Sequence, residues 1–257
     1  MLDIVGALAL SAIFSIDVIV LIGLAPVRPG VKAVAFALAA AWAAAVVAIT
    51  AAGGFAPGVA GPLPTAALPF FALVIGGLVA WLMWPAFRNA LVALPLAALV
   101  GINSLRIGGV FFLILHASGR LSAPFATSAG WGDIITGVAA IPLAAMLARG
   151  RMPSKIVLGT WNAFGTLDLI VAVTLGVLSA AGTQFQVFTE PPGTVALTTL
   201  PWIGVPTILV PLYLLTHLTI AAKLRLPTVR RHAIPAPPEQ VPHIERSEKL
   251  AGGNAMR

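Results

Sequence analysis

Four ionisable side chains stand inside long apolar runs of this sequence: Asp17, Arg106, Asp133 and Asp168. A charge at the centre of a bilayer costs about 2.5–3.5 kcal/mol on insertion scales, so such residues face other protein and carry function. Carboxylates placed together can share a proton, hold a cation or activate water, and a neighbouring arginine tunes which of these occurs. Counted from the end of its run that the charge pattern below places outside, Asp17 lies 13 residues in, Arg106 12, Asp133 10 and Asp168 12. At ~1.5 Å rise per residue all four reach ~15–20 Å depth, near the midplane. Runs travelling in opposite directions thus bring their charges to one level. Arg106 is expected to pair with Asp133 or Asp168, because an unpaired arginine in hydrocarbon is far costlier than a paired one. Three carboxylates against one arginine leave a formal −2 at that level, which protons, a cation or a wet cavity must offset.

Other residues extend this candidate site. Asn103 lies one turn before Arg106 and Gly109 one turn after it. Asp133 shares its helical face with Gly130, Thr136, Gly137 and Ala140, and Asp168 shares its face with Trp161, Gly165 and Ala172, small enough to admit a close neighbour. In the last run Pro201, Pro206 and Pro211 recur every five residues. Each proline frees the carbonyl four residues back, so Trp202 and Thr207 are expected to present carbonyls near the site, as in ion-coupled transporters. His217 lies 17 residues into this run and reads as a hydrogen-bonded contact or proton relay near the inner side. His116 lies at the outer end of its own run, some ~20 Å away in depth, so the two do not share a haem. No cofactor or metal site is expected. The binding set is therefore Arg106, Asp133, Asp168, Asp17, Asn103 and His217.

The elements that must position these residues are written in the composition. The chain has 257 residues, 59% hydrophobic and 9% charged, against about 25% charged in a soluble domain. Apolar runs fall at roughly 4–25, 32–52, 66–84, 90–118, 123–148, 155–180 and 200–223, each about the ~18 residues or more that spanning requires. The first has Asp3 where a secretory signal carries a base and reads as a retained helix. Seven spans place Arg28, Lys32, Arg88, Arg149, Arg151, Lys155, Lys223, Arg225, Arg230 and Arg231 on one side and Arg120 on the other. That asymmetry makes the basic side cytoplasmic. The expected fold is an all-α integral membrane bundle of seven transmembrane helices over 1–225, N-terminus outside and C-terminus cytoplasmic. A disordered, basic, Pro-rich cytoplasmic tail over 226–257 is expected to follow. The basic loops account for the high isoelectric point without nucleic acid. Membrane lipid and a proton or small cation are the expected partners, and the cytoplasmic membrane of a bacterium is the expected location. Trp81, Trp84 and Trp202 read as interface anchors or packing residues, and the Ala-rich stretch from Ala33 to Ala52 as a close-packing surface.

Gly130-Trp131-Gly132-Asp133 resembles the GxGD motif of aspartyl intramembrane proteases, the presenilin-like and prepilin-peptidase families. The resemblance covers four residues and implies Asp133 with Asp17 or Asp168 as catalytic acids. The sequence departs from those families elsewhere: Ile16 precedes Asp17 where a tyrosine stands, no Pro-Ala-Leu motif occurs, and Ile134-Ile135 follows the motif in place of Val-Lys. HExxH, GxSG, P-loop and DxxxD signatures are absent. A retinal Schiff base needs a lysine in the middle of the last helix, and Lys223 lies at its end. Three functions fit these residues: proton- or cation-coupled transport, aspartate-dependent hydrolysis within the membrane, and a structural role in which the charges fix helix packing.

Overall fold

The computed structural model describes residues 1–225; the expected tail over 226–257 lies outside the described residues. Every regular element among them is helical. Six helical stretches are long and apolar enough to cross a membrane, and up to seven if a sharply bent pair counts as one span. They are α1 (Leu2–Gly23), α2 (Pro29–Ala51), a composite span Leu96–Ala117, α7 (Phe125–Ala148), α8 (Lys155–Leu178) and a final span Val205–Arg225. The bent pair is α3 (Ala67–Met83) with α4 (Pro85–Ala93), which meet at 99°.

Proline explains most of the breaks. Trp84 is extended (φ −118°, ψ 91°) because the ring of Pro85 disfavours a helical residue before it, while Pro85 itself suits the first turn of α4. Residues 90–93 therefore belong to α4 and not to the following span, as hydropathy had placed them. Pro95 ends that arm. Lys223, near the end of the last helix among the described residues, donates to the carbonyls of Val92 (2.5 Å) and Leu94 (2.8 Å). These are among the carbonyls that the end of α4 leaves without helical partners. One of the basic residues that marked topology is thus also a helix cap.

The composite span is built from α5 (Leu96–Ile102), a 3₁₀ segment (Asn103–Gly109) and α6 (Val110–Ala117). In a 3₁₀ helix residues three apart eclipse. Asn103, Arg106 and Gly109 are accordingly the residues of this segment that are buried. They face α7, which packs against α5, the 3₁₀ segment, α6 and α8 and is the centre of the bundle. Close approach depends on glycine. A Cβ on Gly137 would stand 2.7 Å from the backbone nitrogen of Ile107, and one on Gly130 would stand 2.7 Å from the Leu113 side chain.

The final span opens with a π-helical turn (Val205–Leu209) and continues as α9 (Val210–Arg225). Residues 199–204 form turns, so the helix starts some five residues later than the apolar run. The carbonyl of Trp202 accepts from the backbone of Val205 (3.0 Å), and that of Thr207 from the indole of Trp42 on α2 (3.0 Å). Both carbonyls expected to be free are therefore bonded within the protein.

Of the two readings of Trp202, packing is the one that holds: the residue is fully buried. Its ring lies over Gly6, and its Nε1 donates to Asp3 (2.7 Å), whose same oxygen accepts from Arg120 (2.8 Å). The Ala-rich α2 buries only Val46, so its small-residue surface packs little within this chain.

Candidate functional site

Arg106 enters the bundle from the 3₁₀ segment and is 2% exposed. Its Nε donates to Asp133 Oδ1 on α7 (2.8 Å), and its Nη2 donates to Asp168 Oδ2 on α8. Its Nη1 donates to the carbonyl of Gly165 (3.2 Å) and meets His217 Nε2 on α9 (3.0 Å). Sequence reasoning offered one aspartate or the other as partner; the guanidinium takes both, one on Nε and one on Nη2. A fork of donors in fixed directions suits such a junction better than the point charge of a lysine.

Glycine makes room for each arm. A Cβ on Gly132 would fall on the Asp168 carboxylate, one on Gly109 would run into the Cβ of Asp133, and one on Gly165 would stand 2.6 Å from the His217 ring. Gly130 and Gly132, the glycines of the GxGD resemblance, are thus both used by helix packing. Asp133 and Asp168 accept from the neighbouring Nε and Nη2 of one guanidinium, which favours both carboxylates ionised over two acids sharing one proton.

Arginine can only donate, so His217 Nε2 accepts and the ring proton is on Nδ1. Nδ1 donates to Asn162 Oδ1 (2.9 Å), and Asn162 Nδ2 returns a bond to the His217 carbonyl (3.2 Å). His217 therefore sits at the level of Arg106. Its depth is overstated by counting from residue 200, because the helical span begins at Val205.

The remaining candidates lie beside this junction. Asn103 donates to Leu99 (2.9 Å) and approaches Thr216 (3.5 Å), without reaching Arg106. Asp17 is fully buried, and both its carboxyl oxygens lack a hydrogen-bond partner. It faces the hydroxyl of Tyr213, which likewise makes no hydrogen bond. The Tyr213 ring lies 5.8 Å from the Arg106 guanidinium. Tyr213 is the only tyrosine of the chain, and sequence reasoning passed over it. Its spacing of four from His217 on α9 was the available signal. Asn162 was missed too, although it shares a buried stripe with Gly165 and Asp168.

Of the three site aspartates, Asp133 is the one that borders open space. It forms the end of an apolar cavity of about 120 Å³ walled by Phe70, Phe112, Phe125, Leu169 and Val205, among others. A smaller space of about 40 Å³ lies on its other side, bordered also by Arg106 and Tyr213. That is room for water, which needs roughly 10–15 Å³ and a few polar partners. Asp133 Oδ2 makes no hydrogen bond to any described residue, since its bond to Arg106 is through Oδ1.

Residues 63–225 match the profile of a family described as a domain of unknown function, DUF8737. No curated protein matches the chain, and no solved structure does. Arg106, Asp133, Asn162, Asp168, Tyr213 and His217 all fall within the matched region, whereas Asp3, Asp17 and Trp42 precede it.

Proposed function

This chain belongs to the DUF8737 family, and from its buried site we propose that it is a proton- or cation-coupled membrane transport protein. The observation that carries the reading is Asp133: one oxygen bound to a doubly engaged arginine, the other without a protein donor at the end of a cavity. Asp133 binds the coupling ion or substrate, Asp168 and His217 hold Arg106 in place, and Arg106 sets how readily Asp133 gives up a proton. Asp17 and Tyr213 extend the path on the other side.

The topology that goes with this reading has seven spans. At 17 residues α3 is ~25 Å long, the short end of the spanning range. α4, carrying Arg88 and flanked by the exposed Trp84, then lies along the membrane surface. With α3 counted as a span, the N-terminus is outside, the basic loops and C-terminus are cytoplasmic, and the chain resides in a bacterial cytoplasmic membrane.

A purely structural role explains why Arg106 has so many partners. It does not explain the unbonded oxygen of Asp133 or the bare carboxyl of Asp17. Hydrolysis by an aspartate pair finds less support, because Arg106 donates to both acids and so favours both ionised, where that chemistry needs one of them protonated. The test is flux into liposomes holding the full chain and a pH-sensitive dye, with and without an imposed potential. Wild-type protein is expected to move protons or a monovalent cation, and Asp133→Asn to fall to the rate of empty vesicles. Equal rates for the two proteins would sink the proposal.

A further inference from the structure

The cavity that ends at Asp133 continues sideways. It shares Leu63, Pro64, Ala67, Phe71 and Val177 with an apolar hollow of about 410 Å³ between the start of α3 and the end of α8, completed by Leu68 and Phe185. Every residue lining that hollow is apolar. Leu68, Phe71 and Phe185 are also exposed at the surface of the bundle. An entrance of this composition leads to hydrocarbon, not to water.

Polar groups on the inner wall are few, and nearly all are spent. Thr65 donates to Phe55 (2.6 Å), Thr183 to Ala180 (3.0 Å), Thr194 to Gly176 (3.2 Å) and Thr198 to Val195 (2.8 Å), each to a backbone carbonyl. Asp133 is the one ionisable residue on this wall. Its unengaged oxygen asks for a hydrogen-bond donor. With both carboxylates ionised, Arg106, Asp133 and Asp168 together carry a formal −1, so the donor that suits the site best is positively charged. An anion meets a carboxylate and no opposing cation on the cavity side.

We propose that the cavity binds a lipid-soluble amine, which enters from the membrane between α3 and α8 and places its protonated amino group on Asp133. Its hydrocarbon body lies among Phe70, Phe112 and Phe125, and a longer tail extends through the hollow. The space beside Asp133, at about 120 Å³, approaches the ~150 Å³ apolar cavity that accepts a benzene ring. A proton and the amine compete for the same carboxylate, which gives exchange of one for the other. The inference names a substrate class for the coupled transport proposed above and rests on that reading.

The experiment uses the full chain in lipid nanodiscs with three radiolabelled ligands of one tail length: decylamine, decanol and decanoate, at pH 7. Empty discs supply the partitioning background. Decylamine is expected to show a saturable component at least ~10-fold tighter than decanol, the step from a neutral to a charge-assisted bond, and decanoate none. Ala67→Trp, which fills the shared passage without touching the charged residues, is expected to abolish it. So is Asp133→Asn. Absence of a saturable amine component, equal binding of decanol, or unchanged binding by Ala67→Trp overturns the proposal. Proton flux measured on the same preparations separates the two readings. Flux without amine binding leaves coupled transport standing and removes the amine, whereas amine binding without flux removes the transport step.

Discussion

Replacing Gly132 by alanine puts two opposing effects on one methyl group. In an unencumbered helix, alanine is favoured over glycine by up to about 1 kcal/mol. At Gly132 the methyl would fall on the Asp168 carboxylate, which must then leave Arg106. Forcing a group into a packed interior costs about 1–3 kcal/mol, and losing a hydrogen bond to a charged group about 1.5–3 kcal/mol. The net expectation is a destabilisation of roughly 2–5 kcal/mol, opposite in sign to helix propensity. Gly159 on α8 supplies the control, because a Cβ there meets nothing within 4 Å; Gly159→Ala should stabilise by up to about 1 kcal/mol. The assay is reversible unfolding of the full chain in mixed micelles of rising denaturing-detergent fraction, followed by circular dichroism. A second background makes the cause explicit. In Asp168→Ala there is no carboxylate to displace, so adding Gly132→Ala should behave as Gly159→Ala does and stabilise by up to about 1 kcal/mol. Equal cost in both backgrounds, or a gain in stability in the wild-type one, would refute the account of how Asp168 is seated.

Trp42→Phe leaves the buried carbonyl of Thr207 without its indole donor and should cost about 1–3 kcal/mol in the same unfolding assay. Asp3 holds both Trp202 and Arg120, so Asp3→Leu should destabilise more than Arg120→Leu. The Arg120 pair is solvent-exposed and contributes at most ~1 kcal/mol, whereas the indole N–H belongs to a fully buried ring. A larger loss from Arg120→Leu would contradict that ordering. Tyr213→Phe keeps the ring beside Arg106 and removes only a hydroxyl that makes no protein hydrogen bond. Stability should hold within ~0.5 kcal/mol, while vesicle proton flux falls to the level of Asp17→Asn; undiminished flux would remove Tyr213 from the path.

The spans were legible because length and apolarity are properties of the chain itself. Depth followed from simple counting wherever the outer end of a helix lies close to the outer end of its apolar run. This worked for Arg106, Asp133 and Asp168, which meet in the structure. It failed for His217, because the turns at 199–204 are apolar without being part of the span. The bend at Trp84 is local proline chemistry, but its 99° angle depends on what α4 packs against, including Lys223, distant in sequence on α9. Trp202 read as an anchor or a packing residue by position alone; only folding brings Asp3 and Gly6 beneath it. Tyr213 was missed because it carries no formal charge, and its importance lies in two neighbours, Arg106 and Asp17, from different helices.

The 3₁₀ geometry of Asn103–Gly109 makes the middle of one span extensible. This form rises ~2.0 Å per residue against ~1.5 Å in an α-helix. Conversion of the seven residues to α-helix would therefore shorten the span by ~3.5 Å and draw α6 toward α5. It would also turn each three-residue step from a full revolution to ~300°, swinging Arg106 about 60° away from the line it shares with Asn103. A single change of winding would thus release both aspartates from the guanidinium and move the wall that carries Phe112, one side of the cavity. The charge at the centre of the protein and the shape of the space beside it are geared to the same seven residues.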